Sequence, residues 1–144
     1  MAKKTIYIDG EMHVAGRLAS HVAKIALEGK NVVILNSEEV ILTGSKSHIV
    51  AKYKNRIKKI GYRHKGPFWP KRPDDILRRT IKRMLPYKKS RGSEAFKRIK
   101  TYIGIPEKFS EAKLEKIPKA MLHEDEIKFI TIKDLSKEIG GFNE

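Results

Sequence analysis

Arg78, Arg79, Lys82 and Arg83 stand within one stretch, Pro73 to Leu85, whose apolar residues recur at helical spacing. Counting about 100° per residue from Arg78, Lys82 lies near 40°, Arg79 near 100° and Arg83 near 140°, so the four share one helix face. Ile76, Thr80, Met84, Leu77, Ile81 and Leu85 occupy the complementary arc. Cations crowded over two turns with no acid among them repel one another, and the arrangement becomes favourable when phosphates lie opposite. Phosphate binding is the chemistry these residue types suit; an ordinary solvated face is the alternative.

Two flanking segments extend the pattern. Downstream, Met84-Leu85-Pro86-Tyr87-Lys88-Lys89-Ser90-Arg91-Gly92-Ser93 reads as a loop feeding a helix N-terminus. Lys88, Lys89 and Arg91 supply charge there, and the free amides after Ser93 could hold a phosphate oxygen. Gly92 then serves either close phosphate approach or a positive φ, and a plain turn with a Ser cap is the simpler alternative. The helix expected from Ser93 to Tyr102 buries Ala95, Phe96, Ile99 and Tyr102 and carries Lys97, Arg98 and Lys100 on another side. Upstream, Gly61 to Arg72 contains Gly66, Pro67 and Pro70 and has no period, so it reads as a loop. Cations alternate with aromatics in it. Arg63, Lys65, Lys71 and Arg72 are the candidates for RNA contact, while Phe68 and Trp69 either stack on unpaired bases or anchor the loop to the core, anchoring being the expected role.

Catalytic constellations are missing. Gly10-Glu11-Met12-His13-Val14-Ala15-Gly16-Arg17-Leu18 follows a strand and opens a helix as a P-loop does, yet has one residue too many between its glycines and Arg-Leu in place of Lys-Ser/Thr. Gly44-Ser45-Lys46-Ser47 lacks the upstream glycine as well. His13, His21, His48, His64 and His123 are scattered, with no pair at metal-ligand spacing. Asp74-Asp75 and Glu124-Asp125-Glu126 read as a helix start and a solvated loop rather than a tuned acid pair. Cysteine is absent, which removes disulfides, thiolate zinc sites and cysteine nucleophiles together. We expect no enzyme activity, no metal and no cofactor.

The elements that must carry the basic residues follow from periodicity. Thr5–Asp9 reads as a strand, Gly16 to Leu27 as a helix ended by Gly29, and Asn31 to Asn36 as a second strand, whose continuous apolar run suits a parallel sheet covered on both faces. Val40 to Gly44 suggests another strand, followed by a basic helix from about Ser45 to Lys59 with Ile49, Tyr53, Ile57 and Ile60 on one side. Ile127 to Ile132 and Lys133 to Ile139 read as a terminal strand and a short helix. The 144 residues suit a single α/β domain, 1–144, with basic helical extensions.

Charge points to the partner. The formal net charge is +15 and the pI about 10.0, and the excess is central: residues 46–108 carry 21 Lys/Arg against Asp74, Asp75, Glu94 and Glu107, a local net of +17. Such a block disfavours compaction unless a polyanion neutralises it. No apolar run reaches the length of a membrane span and no signal-peptide core is recognisable, so a cytoplasmic protein with no membrane partner and no small-molecule substrate is expected. The absence of glutamine beside abundant Lys, Glu and Ile matches the bias of thermophile proteins.

Tyr7-Ile8-Asp9, Gly16-Arg17-Leu18-Ala19-Ser20, Val33 to Glu38, Ile76-Leu77-Arg78-Arg79-Thr80-Ile81, Met84-Leu85-Pro86-Tyr87-Lys88, Arg91-Gly92 and Tyr102-Ile103-Gly104-Ile105-Pro106 together resemble one known family. It is the universal large-subunit ribosomal proteins numbered thirteen, in their archaeal and eukaryotic form, and the resemblance spans about Thr5 to Pro106. It implies a three-layer α/β/α core around a four-stranded parallel sheet. It implies too an early-assembling structural constituent of the large (50S) subunit that binds 23S rRNA beside neighbouring ribosomal proteins. Carried over by position, the matching basic residues are Arg78, Arg79, Arg83, Lys88 and Arg91. Lys82-Arg83 departs from the Arg-Gly of relatives, and the lack of the longer N-terminal lead of bacterial members favours an archaeal source. Competing readings are a nucleotide-dependent enzyme on a Rossmann-like sheet, suggested by the strand-Gly-helix start, and a DNA-binding protein, for which no base-reading Asn or Gln stands near the basic helix.

Overall fold

A computed structural model of the chain describes residues 4–58, 68–125 and 128–141. Strand β1, Thr5–Asp9, and strand β2, Asn31–Leu35, pair in parallel from Thr5 opposite Asn31 to Asp9 opposite Leu35. Helix α1, Ala15–Leu27, makes the crossover. Its buried Leu18, Ala19, Val22, Ala23 and Ala26 recur every three or four residues, forming the stripe that lies on the sheet. The chain leaves the helix through Gly29, whose φ of +97° is open to a residue without Cβ.

The other two strands of this sheet were not among the expected elements. The apolar spacing of residues 93–102 fits a helix, but the helix there, α4, is Ser90–Lys97, and Ile99–Thr101 forms the next sheet strand. Tertiary pairing overrides the local period. Ile99 sits fully buried opposite Val32, and the ladder is completed by Val32 N–H to the Arg98 carbonyl (3.0 Å) and Tyr102 N–H to the Ile34 carbonyl (2.9 Å). The two-residue strand Leu114–Glu115 pairs with β1 on its other side.

With β3 as Ile41–Thr43, β4 as Ile99–Thr101, β5 as Leu114–Glu115 and β6 as Phe129–Thr131, the main sheet runs β4-β2-β1-β5, all parallel. Strands β3 and β6 form a separate antiparallel pair, Leu42 opposite Ile130. The remaining helices are α2, Lys46–Lys58, α3, Pro73–Arg83, and α5, Ile132–Glu138.

The fold is a three-layer α/β arrangement. On one face of the sheet Ile8, Val32, Ile34 and Ile99 join Leu18 and Val22 of α1, Leu77 and Ile81 of α3, and Ala95 of α4 in one apolar core. On the other face Tyr7 meets Phe109, which in turn meets Tyr102, at ring-centre distances of 5.6 and 5.1 Å. Each fully buried large aliphatic side chain contributes roughly 1.5–3 kcal/mol. The C-terminal segment belongs to the core through Ile130, Ile132, Leu135 and Ile139. It also clamps the approach to α3: the buried Ser136 hydroxyl donates to the Lys71 carbonyl, and a Cβ on Gly141 would lie 2.1 Å from that carbonyl oxygen.

The turn that leads into α1 is tightly packed. Gly10 packs so closely that a Cβ would meet Val40 Cγ2 at 2.7 Å, and Val14 N–H donates to the Ala120 carbonyl. His13 is buried between them. The Ile117 amide donates to its Nε2 at 2.9 Å, so Nδ1 carries the proton and donates to the Glu11 carbonyl at 3.1 Å. Burial holds this imidazole below its ordinary pKa of 6.5, against smaller upward pulls from its hydrogen bond to Glu11 and from Asp9.

Candidate nucleic-acid interface

Helix α3 is built to present charge outward. Pro73 occupies its first turn, where the missing amide proton costs nothing, and Asp74 and Asp75 complement the positive helix end. Burial, with Asp75 adding, pushes the Asp74 carboxyl above its ordinary pKa, while Arg72, with Nε 3.5 Å from Asp74 Oδ1, pulls it back. Ile76, Leu77, Ile81 and Leu85 are buried, and the cations take the opposite side. Met84 departs from the expected arc. It is 44% exposed because the helix ends at Arg83 and Met84, at the C-cap with ψ −2°, no longer follows the wheel.

The four α3 cations are held by aromatic rings. The Arg79 guanidinium lies 4.0 Å from the ring centre of Trp69, with Arg83 at 5.6 Å on the same ring. Arg78 lies 4.1 Å from Phe96, and Lys82 spans Tyr87 and Phe96 at 5.2 and 5.7 Å. These contacts restrain long side chains without neutralising them. Asp74 and Asp75 stand one turn from Arg78 and Arg79, yet among the described residues no ion pair joins them to the four cations. Between the ring-backed rows runs an open groove of about 610 Å³, floored by α3 and walled by Phe68, Trp69, Tyr87 and Phe96.

Trp69 anchors the loop on α2 and α3 and not on the apolar core. Arg56 of α2 approaches its ring at 4.8 Å, so the indole is gripped by α2 and α3 together, and Arg79 Nη1 donates to the neighbouring Phe68 carbonyl at 2.9 Å. The Phe68 side chain behaves differently. It is 60% exposed and lines the groove instead of packing into the core, which overturns the anchoring expectation for that residue.

The other expected contacts are dispersed. Lys71 and Arg72 are exposed beside the start of α3, and Lys88, Lys89, Arg91 and Lys97 are exposed along the turn and α4. Arg91 lines a different hollow, with Met84 and Lys24 of α1. Arg98 turns inward: its Nη1 donates to the Ala26 carbonyl at 2.8 Å, tying α4 to the end of α1. Arg63 and Lys65 lie outside the described residues.

Gly92 has a reason that was not foreseen. It is buried in the first turn of α4, and a Cβ there would stand 2.0 Å from the Pro86 carbonyl oxygen and 2.3 Å from its carbon. Its φ is not among the positive ones. The helix begins earlier than expected, after Lys89, so the Ser93 amide already donates to the Lys89 carbonyl and the amides without a helical partner belong to the three residues before it.

Two basic residues were overlooked. Arg56 caps the Trp69 ring and also approaches Tyr53 at 5.4 Å; Tyr53 and Arg56, three apart on a predicted basic helix, were the available signal. Burial pushes the Tyr53 hydroxyl above its ordinary pKa, with Arg56 and Arg83 opposing, so it stays a neutral wall. Lys108 lies 4.9 Å from Tyr102 and 5.0 Å from Phe109 on the far face of the sheet.

Comparison with known proteins fits this geometry. The family model described as Ribosomal protein L13 matches residues 3–108. The large ribosomal subunit protein uL13 of Methanocaldococcus jannaschii is 47% identical over 137 residues, covering 93% of this chain and 96% of that protein. The uL13 proteins of Thermoplasma volcanium and Archaeoglobus fulgidus are 44% and 36% identical, covering 93% and 92% of this chain and 97% and 86% of their own lengths.

Proposed function

This chain belongs to the ribosomal protein L13 family, and from that premise we propose that it is a structural, non-catalytic constituent of the large ribosomal subunit that binds large-subunit rRNA. It acts in the cytoplasm, within the ribosome, beside other large-subunit proteins, and joins the rRNA early in assembly. Its similarity to archaeal relatives along most of its length supports an archaeal 50S particle and 23S rRNA.

The observation that carries the RNA reading is the α3 face. Arg78, Arg79, Lys82 and Arg83 form no ion pair with an acid among the described residues and stand on a helix fixed by buried Ile76, Leu77 and Ile81. A rigid, ring-braced row of cations gives register as well as charge, which is what phosphate contacts supply in RNA recognition. Lys71, Arg72, Lys88, Lys89, Arg91 and Lys97 extend the basic surface, and Arg63 and Lys65 belong to the same basic segment.

The test is retention on the particle. Lys82→Ala/Arg83→Ala changes two exposed side chains, so thermal stability should stay within about 0.5 kcal/mol of wild type. Co-sedimentation with large subunits through a high-salt gradient should nevertheless fall. Full retention of the double variant would remove α3 from the interface.

A further inference from the structure

We infer that the α3 groove holds an unpaired nucleotide, its base stacked against Phe68, in addition to the phosphates that the proposed RNA-binding role requires. This inference rests on that role and adds the kind of RNA the site takes.

One ring of the groove is left unexplained by the phosphate role. Trp69 and Phe96 are occupied as supports for Arg79 and Arg78. Tyr87 backs Lys82, whereas Phe68, 60% exposed, lines the same groove with no cation over its ring among the described residues. An exposed phenyl ring gains little from a phosphate. A paired helix offers its phosphates, riboses and base edges to a protein, whereas the flat face of a base becomes available when the nucleotide is unpaired. An apolar ring beside phosphate-binding cations is the combination that binds single-stranded segments, the ring taking the base and the cations its backbone.

The position of Phe68 is fixed well enough to do this. Its carbonyl accepts from Arg79 Nη1, the following Trp69 is gripped between α2 and α3, and the Lys71 carbonyl accepts from the buried Ser136 hydroxyl. The backbone is thus tied at Phe68 itself and through the residues that follow it, which reduces the ordering cost of stacking.

Three short RNA hairpins of equal phosphate count, each closed by a non-nucleotide linker in place of a loop, test it, bound to the full chain at one fixed low salt concentration: one with a single bulged adenosine, one with an abasic nucleotide at the bulge, and one fully paired with an abasic nucleotide at its 3′ end. The sole tryptophan, Trp69, lies in the groove wall and reports occupancy by fluorescence. We expect the bulged hairpin to bind roughly 5- to 100-fold more tightly than the abasic one. Phe68→Leu should erase that preference while leaving affinity for the paired hairpin and the melting temperature unchanged. Equal binding of all three hairpins would overturn the inference and leave the phosphate role standing, as would a preference untouched by Phe68→Leu. No binding by any of them would overturn both.

Discussion

Replacing Gly92 by alanine puts the packing of the α3–α4 corner to a quantitative test. The added Cβ would stand 2.0 Å from the Pro86 carbonyl oxygen and 2.9 Å from Pro86 Cγ. Non-bonded carbon and oxygen need about 3 Å, so one backbone must retreat by about 1 Å. Both are constrained: Gly92 lies in a helix turn, and the Pro86 carbonyl accepts from the Lys89 amide at 2.9 Å. Overpacking of this kind costs about 1–3 kcal/mol, and weakening the hydrogen bond adds about 1 kcal/mol. A loss near 3 kcal/mol corresponds to a fall in Tm of roughly 10 °C for a domain of this size. Circular dichroism melting of Gly92→Ala against wild type reads the change, and Gly92→Val should be worse. A Tm within about 2 °C of wild type, coupled with lost RNA affinity, would refute the packing argument and restore phosphate approach as the reason for glycine.

Gly16→Ala is the opposite case: no atom lies within 4 Å of its Cβ position and it sits in the first turn of α1, so thermal melting should show a gain of about 0.4–1 kcal/mol. Arg79→Ala removes the hydrogen bond to Phe68 and the nearest cation on Trp69, and should cost about 1–2 kcal/mol in denaturant titration with a change in tryptophan emission. His13 is kept neutral in the fold, so its folded pKa lies below the unfolded value of about 6.5. Above that pH it adds no pH dependence; below it the unfolded chain takes up a proton that the fold resists, and stability falls by up to about 1.4 kcal/mol per pH unit until the folded pKa is reached. Urea midpoints from pH 7.5 to 5 should show this limb, and His13→Gln should flatten it.

The β1-α1-β2 unit was legible because local pattern and tertiary role agree there: Val32 to Leu35 are apolar in sequence and buried in the fold. Residues 99–101 misled because Ile99 and Tyr102 satisfy a helical period that the parallel ladder overrides. Leu114–Glu115 is too short to carry a strand pattern at all, and Val40 to Gly44 gave a strand without revealing that its partner would be β6 rather than the main sheet. At the interface, the helical wheel placed all four cations on one side of α3. It could not show that Arg79 also fixes the loop through Phe68, or that Arg98 faces α1, because those contacts join residues 11 and 72 positions apart. For Gly92 the sequence suggested phosphate approach or a positive φ, whereas the atom that stands against its Cβ position is a carbonyl oxygen six residues earlier.

Neutralisation of the basic face by phosphates is measured by the salt dependence of rRNA-fragment binding. Contact with about six to ten phosphates, at roughly 0.7–0.9 per contact, predicts a log-log slope between about −4 and −9. Lys82→Ala/Arg83→Ala should make that slope shallower by about 1.4–1.8, because two exposed cations of α3 are removed. A nearly flat plot for wild type, or a slope unaltered in the double variant, would contradict the account.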